Sequence, residues 1–140
     1  MNANDIISLI SKIREKVNRG LISEMERHGI GGIVTSHGDI LHALNHRPKM
    51  TMAEIASKIG RDKSTVTALV DKLVRLGYVT KERDTLDTRI IYVTLTPKGY
   101  ELQPVFEEIS KEVLDIFYSG ISEKEKEELF RILNKIYQNF

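Results

Sequence analysis

Residues 63–95, KSTVTALVDKLVRLGYVTKERDTLDTRIIYVTL, decide the fold, because the hydrophobic period changes within this stretch. From Val66 to Leu76 the apolar residues recur at three- and four-residue spacing, which predicts an amphipathic helix ending at Gly77. After Gly77 the period becomes two, so residues 78–81 and 89–95 are predicted to be short strands. The polar loop 83–88 joins them. The stretch therefore predicts a helix followed by a β-hairpin with a charged tip.

A second short helix is predicted immediately before this stretch. Thr51-Met52-Ala53-Glu54 has the capping-box pattern that begins a helix, and Gly60 has the position preferred after a helix end. Two capped helices at 52–60 and 63–77, joined by a tight turn, predict a helix-turn-helix. In such a motif the first residues of the second helix face base edges in the major groove. The alternative is an ordinary αα-hairpin, and the two helices alone do not decide between them.

The predicted hairpin favours DNA binding, because a wing beside the second helix lets one module contact two grooves. Arg89 is suited to a narrow minor groove, and Asp87 is placed to hold its guanidinium by a forked pair. The alternative is a solvated tip whose charges serve solubility. The candidate DNA-contacting residues are Lys63, Ser64, Thr65, Thr67, Ala68 and Lys72 on the helix, and Lys81, Arg83, Asp87 and Arg89 on the hairpin.

Helical periodicity also fills the rest of the chain. It predicts a helix from Asn4, as N-cap, to about His28, and another from a Ser36 cap to His46. Thr96-Pro97 begins a helix that runs to Gly120, and a capping box at Ser122 begins the last one. The order is α-α-α-α-β-β-α-α. The predicted fold is mainly α with a small β-hairpin (α+β), in a single domain.

Composition limits the class of protein further. The 140 residues include no cysteine, which excludes disulfides and thiolate chemistry and fits a reducing cytoplasm. Net charge is +1, yet residues 58–89 carry eight basic and five acidic side chains, whereas residues 101–140 carry five and nine. The middle of the chain is therefore better suited to a polyanion. The chain shows no signal peptide and no membrane-spanning apolar run, so we expect a soluble, cytoplasmic protein that contacts no membrane.

The wing residues resemble those of the MarR family (multiple-antibiotic-resistance-regulator type). The resemblance is carried by Lys81-Glu82-Arg83-Asp84, Asp87-Thr88-Arg89, and Val93-Thr94-Leu95-Thr96 with Gly99, and it extends to Ser64–Leu73 and Leu76–Val79. In element order it covers all 140 residues. The wing tip at residues 84–87 is less basic than in many relatives.

The resemblance implies a homodimer that binds double-stranded DNA. It implies a winged helix-turn-helix over residues 36–96 and a helical dimerisation region over residues 4–28 and 97–140. It also implies that Arg89 enters the minor groove beside Asp87 and that the operator is nearly palindromic. Repression, and release by a small-molecule effector, are usual in the family. The expected dimer residues are apolar: Ile10, Ile13, Ile109, Val113, Phe117, Leu133, Ile136 and Phe140.

Other readings of the residues are weaker. His42 and His46 have a spacing that can chelate zinc, and the later helices carry no histidine to complete such a site. Glu24, Glu107 or Glu108 could contribute, but nothing requires it, so we expect neither metal nor cofactor. His28 and His37 flank a glycine-rich loop, where they either line a ligand pocket or are structural. No catalytic motif is present, which argues against an enzyme. A protein-interaction module on a winged-helix scaffold remains the alternative to a DNA-binding regulator.

Overall fold

Seven helices and three strands form the chain in the computed structural model, which describes residues 1–140. Their order is α1 (Ala3–Arg27), α2 (Thr35–His46), β1 (Lys49–Thr51), α3 (Met52–Ile59), α4 (Lys63–Arg75), β2 (Val79–Arg83), β3 (Ile91–Leu95), α5 (Pro97–Glu101), α6 (Gln103–Phe117) and α7 (Glu123–Gln138). The predicted fold class is confirmed. None of the helices is both long enough and apolar enough to cross a membrane.

The first two helices begin earlier than predicted. Asn2, not Asn4, caps α1: its side chain accepts from the N–H of Asn4 at 3.0 Å. The cap predicted at Ser36 is also wrong, since α2 already includes Thr35. There the N–H of Val34 donates to Nδ1 of His37 at 2.8 Å, so an imidazole reaches back to the helix start as a glutamate does in a capping box.

The single helix predicted from Pro97 to Gly120 is divided in two. Helix α5 ends at Glu101, and α6 begins at Gln103 after Leu102. Pro104 explains the break, because it has no N–H to donate to the carbonyl of Tyr100 and its ring would crowd that carbonyl in a continuous helix. The break lets α6 leave the winged module and pack along α1.

The sheet has three strands, one more than predicted. Its order is β1-β3-β2, and both pairings are antiparallel. Val93 in the central strand lies opposite Met50 of β1 and Lys81 of β2. Because β1 runs directly into α3, the hairpin is joined to the start of the helix-turn-helix at one end and to the exit of α4 at the other.

One apolar core lies beneath the helix-turn-helix and holds α4 in place. Its fully buried side chains come from α2, α3, α4, the sheet and α6: Ile40, Leu41, Leu44, Ile55, Val66, Val70, Leu73, Val79, Val93 and Ile109. The membership of Ile109 corrects the prediction that it is an exposed dimer residue. Only 1% of Ile109 is exposed, so its own chain has already buried the surface that a partner would need.

Gly99 is the position of closest backbone packing. Thr96 caps α5, accepting from the N–H of Gly99 at 3.1 Å and donating to the carbonyl of Gly77 at 2.5 Å. A Cβ on Gly99 would lie 2.2 Å from the carbonyl oxygen of Tyr78. This contact fixes the start of α5 against the exit of α4, and it requires glycine.

We expect stability to fall as pH drops below about 6.5 because of His37. Burial lowers the pKa of His37 from its ordinary 6.5, and the charge of Lys72 lowers it further. Nδ1 must also stay unprotonated to accept from Val34. In mildly acidic solution the unfolded chain binds a proton that the folded chain does not, so the free energy of unfolding decreases as pH falls.

Urea denaturation at several pH values between 7.5 and about 5 measures this effect. Replacing His37 by glutamine is expected to make the free energy of unfolding depend less on pH. Replacing the exposed His46 by glutamine should leave the pH dependence of the wild type unchanged. Equal slopes for the His37 variant and the wild type would contradict the role of His37.

Candidate nucleic-acid interface

The turn between α3 and α4 is fixed by local signals at both ends. Gly60 ends α3 in the left-handed region, with φ of 69°. Two residues later Asp62 caps α4, its Oδ1 accepting from the N–H of Thr65 at 2.8 Å. The hydrogen bonds from Thr65 hold the pKa of Asp62 below its usual range, so the cap stays ionised at neutral pH. The capped first turn of α4 therefore has a fixed position in the helix-turn-helix.

Helix α4 buries one face and exposes the other. Lys63, Ser64, Thr67 and Ala68 are exposed opposite the buried stripe, and Thr65 is half-buried. The hydroxyl of Thr67 donates to the carbonyl of Lys63 at 2.9 Å. The exposed patch at the start of α4 is therefore made of short side chains and one lysine, which allows close approach of another surface.

Lys72 lies apart from these residues although it is on the same helix. It is half-buried, and its charge acts on the imidazole of His37. Its ammonium lies 3.8 Å from where a Cβ of Gly32 would stand. The structure thus places Lys72 between α4 and the loop that precedes α2, away from the exposed first turn.

The tip of the wing is held by backbone and side-chain hydrogen bonds. The N–H of Asp84 donates to the carbonyl of Ile90 at 2.9 Å, and the guanidinium of Arg83 donates across the loop to the carbonyl of Thr88. Leu86 lies at the outermost point and is 97% exposed. Arg83 therefore closes the loop in the protein alone.

Asp87 holds the guanidinium of Arg89 by the predicted forked pair. Nε donates to Oδ1 and Nη2 to Oδ2, each at 3.0 Å. The carboxylate also accepts from the backbone N–H of Arg89 at 3.1 Å. These bonds lower the pKa of Asp87 and raise that of Arg89, so both remain charged. The pair lies in the turn before β3, not within a strand, and the Arg89 side chain is 89% exposed.

Lys81 connects the wing to α4. Its Nζ donates to Oδ1 of Asp71 at 2.7 Å. This ion pair joins the first strand of the hairpin to the helix, and it was not predictable from the chain because its partners are ten residues apart in different elements. The first strand of the wing is therefore attached to the middle of α4.

The histidine pair predicted as a weak zinc candidate does not gather further ligands. The rings of His42 and His46 lie 4.4 Å apart between centroids, and Nδ1 of His46 contacts the carbonyl of His42 at 3.0 Å. No carboxylate or third imidazole joins them. The two histidines contact each other within α2.

Together, an exposed helix start and a hairpin with an outward arginine define the class of protein: a winged helix-turn-helix protein. A sequence model of the MarR family matches residues 28–90. The regulator SarZ of Staphylococcus haemolyticus is 30% identical over 100 residues, which cover 71% of this chain and 67% of SarZ. SarZ of Staphylococcus saprophyticus is 32% identical over 101 residues, covering 71% and 69%.

The fold is also that of MepR from S. aureus, whose structure was solved in complex with DNA. The TM-score is 0.86 at 24% identity, and the match covers 100% of this chain and 99% of MepR. The chain belongs to the MarR family of DNA-binding, winged-helix transcriptional regulators. It is accordingly a regulator of transcription and not an enzyme.

Proposed function

We propose that the chain forms a homodimer that represses transcription by occupying a nearly palindromic operator in the cytoplasm. The observation that carries the proposal is the exposed guanidinium of Arg89, held by Asp87 at the tip of the hairpin that follows the helix-turn-helix. A pre-positioned arginine and a capped helix start on one module match the minor and the major groove, respectively.

On DNA, the first turn of α4 would enter the major groove. Ser64 and Thr65 offer hydroxyls, and Ala68 and the threonines offer methyl groups that can contact thymine. Lys63 would contact phosphate, as would Lys81 and Arg83 on the wing. Lys72 takes no part in this proposal because its ammonium lies toward Gly32. The complex of MepR with DNA supports the general geometry, since the two chains share a fold over their whole length.

The proposed dimer would use an apolar face that this chain leaves uncovered. Helix α7 has no buried residue, although apolar side chains recur along one of its faces. The N-terminal half of α1 and the end of α6 are exposed in the same way. A second copy is the proposed occupant, and it would cover Ile10, Ile13, Phe117, Leu133, Ile136 and Phe140, with the half-buried Val113 at the edge.

Charges at positions 133 and 136 should separate the dimer. Leu133 and Ile136 are 41% and 42% exposed on the chain alone, so their replacement by glutamate should leave the core intact. In the dimer, each charge would be buried without a partner, and the dissociation constant should rise at least about a hundredfold. Sedimentation equilibrium measures this. Lys124→Glu is the control at a polar position of α7, and a double variant that remains dimeric would contradict the interface.

A cavity between α1, α2 and α6 supports the proposal that a small molecule releases the regulator. Its volume is about 600 Å³, within the range of ligand pockets. Leu21, Met25, Phe106 and Leu114 provide apolar walls, with Asp39 and His42 among the polar groups. Because the cavity lies where α6 meets α2, the helix that packs on α3 and α4, a bound molecule would change the position of the winged module relative to the proposed dimer helices.

Selection from a random pool of duplex DNA at physiological salt tests the proposal. We expect a two-fold-symmetric motif with half-sites about one helical turn apart. The affinity for that motif should fall steeply and log-linearly as salt rises, because phosphate contacts release counterions. A folded protein that enriches no sequence would favour the alternative, a winged helix that binds a protein partner.

A further inference from the structure

A second cluster of polar side chains lies away from the winged module, where the end of α1 packs on α6. Glu24 and His28 are four residues apart and so lie on the same face at the end of α1, while Glu112 belongs to α6. One candidate ligand atom from each of the three residues lies within 4.8 Å of the other two. Carboxylate oxygens and an imidazole nitrogen are a donor set that binds Zn²⁺ and similar divalent transition-metal ions.

His28 provides an observation that hydrogen bonding in the cluster leaves unexplained. Its Nε2 atom is buried and has no hydrogen-bond partner. An unpaired buried polar atom costs free energy, and such atoms often mark the place of a missing ion or ligand. A cation that binds the imidazole through Nε2 would supply the partner that this atom lacks.

Arg27 is the group that neutralises the two carboxylates in the protein alone. Its Nη2 donates to Oε2 of Glu24 at 2.7 Å and to Oε2 of Glu112 at 3.2 Å. Both contacts use Oε2, and the guanidinium makes no hydrogen bond with His28. The Arg27 side chain is 65% exposed, so it can rotate into solvent without disturbing the core. The positive charge at the cluster is therefore exchangeable.

We propose that Glu24, His28 and Glu112 bind one Zn²⁺-like divalent cation per chain, and that Arg27 occupies their carboxylates when the ion is absent. Tetrahedral zinc with bonds near 2.1 Å places its ligand atoms about 3.4 Å apart. Rotations of the two glutamate side chains can close the present separations to that value. Three protein ligands leave the fourth position to water.

The bound ion would link two helices that are far apart in sequence. Glu112 lies 84 residues after His28, and Arg27 is the residue of α1 with which it forms an ion pair. A ligand that binds only the folded chain raises the free energy of unfolding. We therefore expect Zn²⁺ to raise the melting temperature of the protein, with no DNA present.

Isothermal titration of the chelator-treated, full-length chain with Zn²⁺ tests the proposal. One ion per chain is expected, and Co²⁺ should give visible absorption bands of a low-symmetry oxygen and nitrogen site. Mg²⁺ should not compete, because it prefers six oxygen ligands in octahedral geometry. Absence of Zn²⁺ binding by the folded chain would overturn the proposal.

Variants assign the site to these residues. His28→Gln and Glu112→Gln should each weaken Zn²⁺ binding at least about tenfold, whereas Arg27→Gln should strengthen it because it removes the competing charge. Glu107→Gln, an exposed acid on the same helix as Glu112, and His46→Gln are matched controls that should change nothing. Circular dichroism checks that each variant is folded. Zn²⁺ binding that survives in both ligand variants, or that is lost in His46→Gln, would place the ion elsewhere and overturn the proposal.

Discussion

Replacing Arg89 by alanine is expected to cost about 1–3 kcal/mol of operator binding per half-site, or roughly fivefold to more than a hundredfold. The proposed dimer carries two such arginines, so the effect should approach double that free energy. Because the side chain is 89% exposed and packs against nothing but Asp87, the variant should fold and assemble normally. Fluorescence anisotropy at fixed salt, on the motif selected from the random pool, measures the loss.

Arg131 provides a matched control for the Arg89 substitution. It also forms a forked pair on the surface, donating from Nε to Glu128 at 3.0 Å and from Nη2 at 2.6 Å. The pair lies on α7, away from the wing, so Arg131→Ala removes the same charge and the same kind of contact without changing the proposed DNA surface. Equal losses for the two variants would show that net charge, and not the position of Arg89, controls affinity.

Asp87→Ala distinguishes two possible effects of Asp87 on DNA binding: the repulsion of phosphate by its charge, and the positioning of the Arg89 guanidinium. Removing an acid near phosphate should strengthen binding if long-range charge alone matters. If Asp87 acts by holding the guanidinium, the same variant should weaken binding, because the freed side chain must be ordered on the DNA. We expect weaker binding. Arg89→Lys should also bind weakly, since an ammonium keeps the charge but cannot form the fork.

Gly99→Ala is expected to have the largest effect on stability. The new Cβ would lie 2.2 Å from the carbonyl oxygen of Tyr78 and 3.0 Å from Cδ2 of Leu95. The Tyr78 oxygen cannot simply move away, because it accepts from the N–H of Thr96 at 3.0 Å. Overpacking against backbone is costly, and we expect a loss of about 3 kcal/mol, at the upper end of the usual cost of overpacking. Urea denaturation measures it, and the expected change is a lower midpoint.

Gly38→Ala is the control for this substitution. Gly38 lies inside α2, where a Cβ would be 3.9 Å from Phe106, an ordinary contact distance. Alanine there should stabilise the helix by up to about 1 kcal/mol. A Gly99 variant that is as stable as the wild type would show that the start of α5 can move, and that the close contact with Tyr78 is not required.

Element boundaries were predictable where a single residue sets them. Gly60 and Gly77 end their helices with positive φ, and Thr51 and Thr96 cap the helices that they precede, because these signals act within a few residues. Strand β1 could not be predicted, because its three residues are too few to show the alternation of apolar and polar side chains that marks a strand. The break between α5 and α6 was also missed, although Pro104 carried the signal.

Residues that act over long separations were not predictable in the same way. Asp87 and Arg89 are two apart, so their pairing could be expected from the chain. Helical periodicity marks Ile109 as apolar, but it cannot tell whether its own core or a partner covers it. The contact of Arg27 with Glu112 spans 85 residues and follows only from the packing of α1 on α6. Likewise, the direction of the Lys72 side chain depends on the loop at Gly32.

Helix α7 buries no side chain within its own chain, so the proposed dimer would make the working state of the regulator depend on its abundance. In the proposed dimer the free energy that orders this helix comes from the second copy, so the folded, DNA-competent fraction follows the law of mass action. A cell that makes few copies would hold more single chains with an exposed apolar face. The response of the promoter would then depend on the expression level of the regulator. Small changes in its synthesis, or in its dilution by growth, would change the occupancy of the operator more than proportionally.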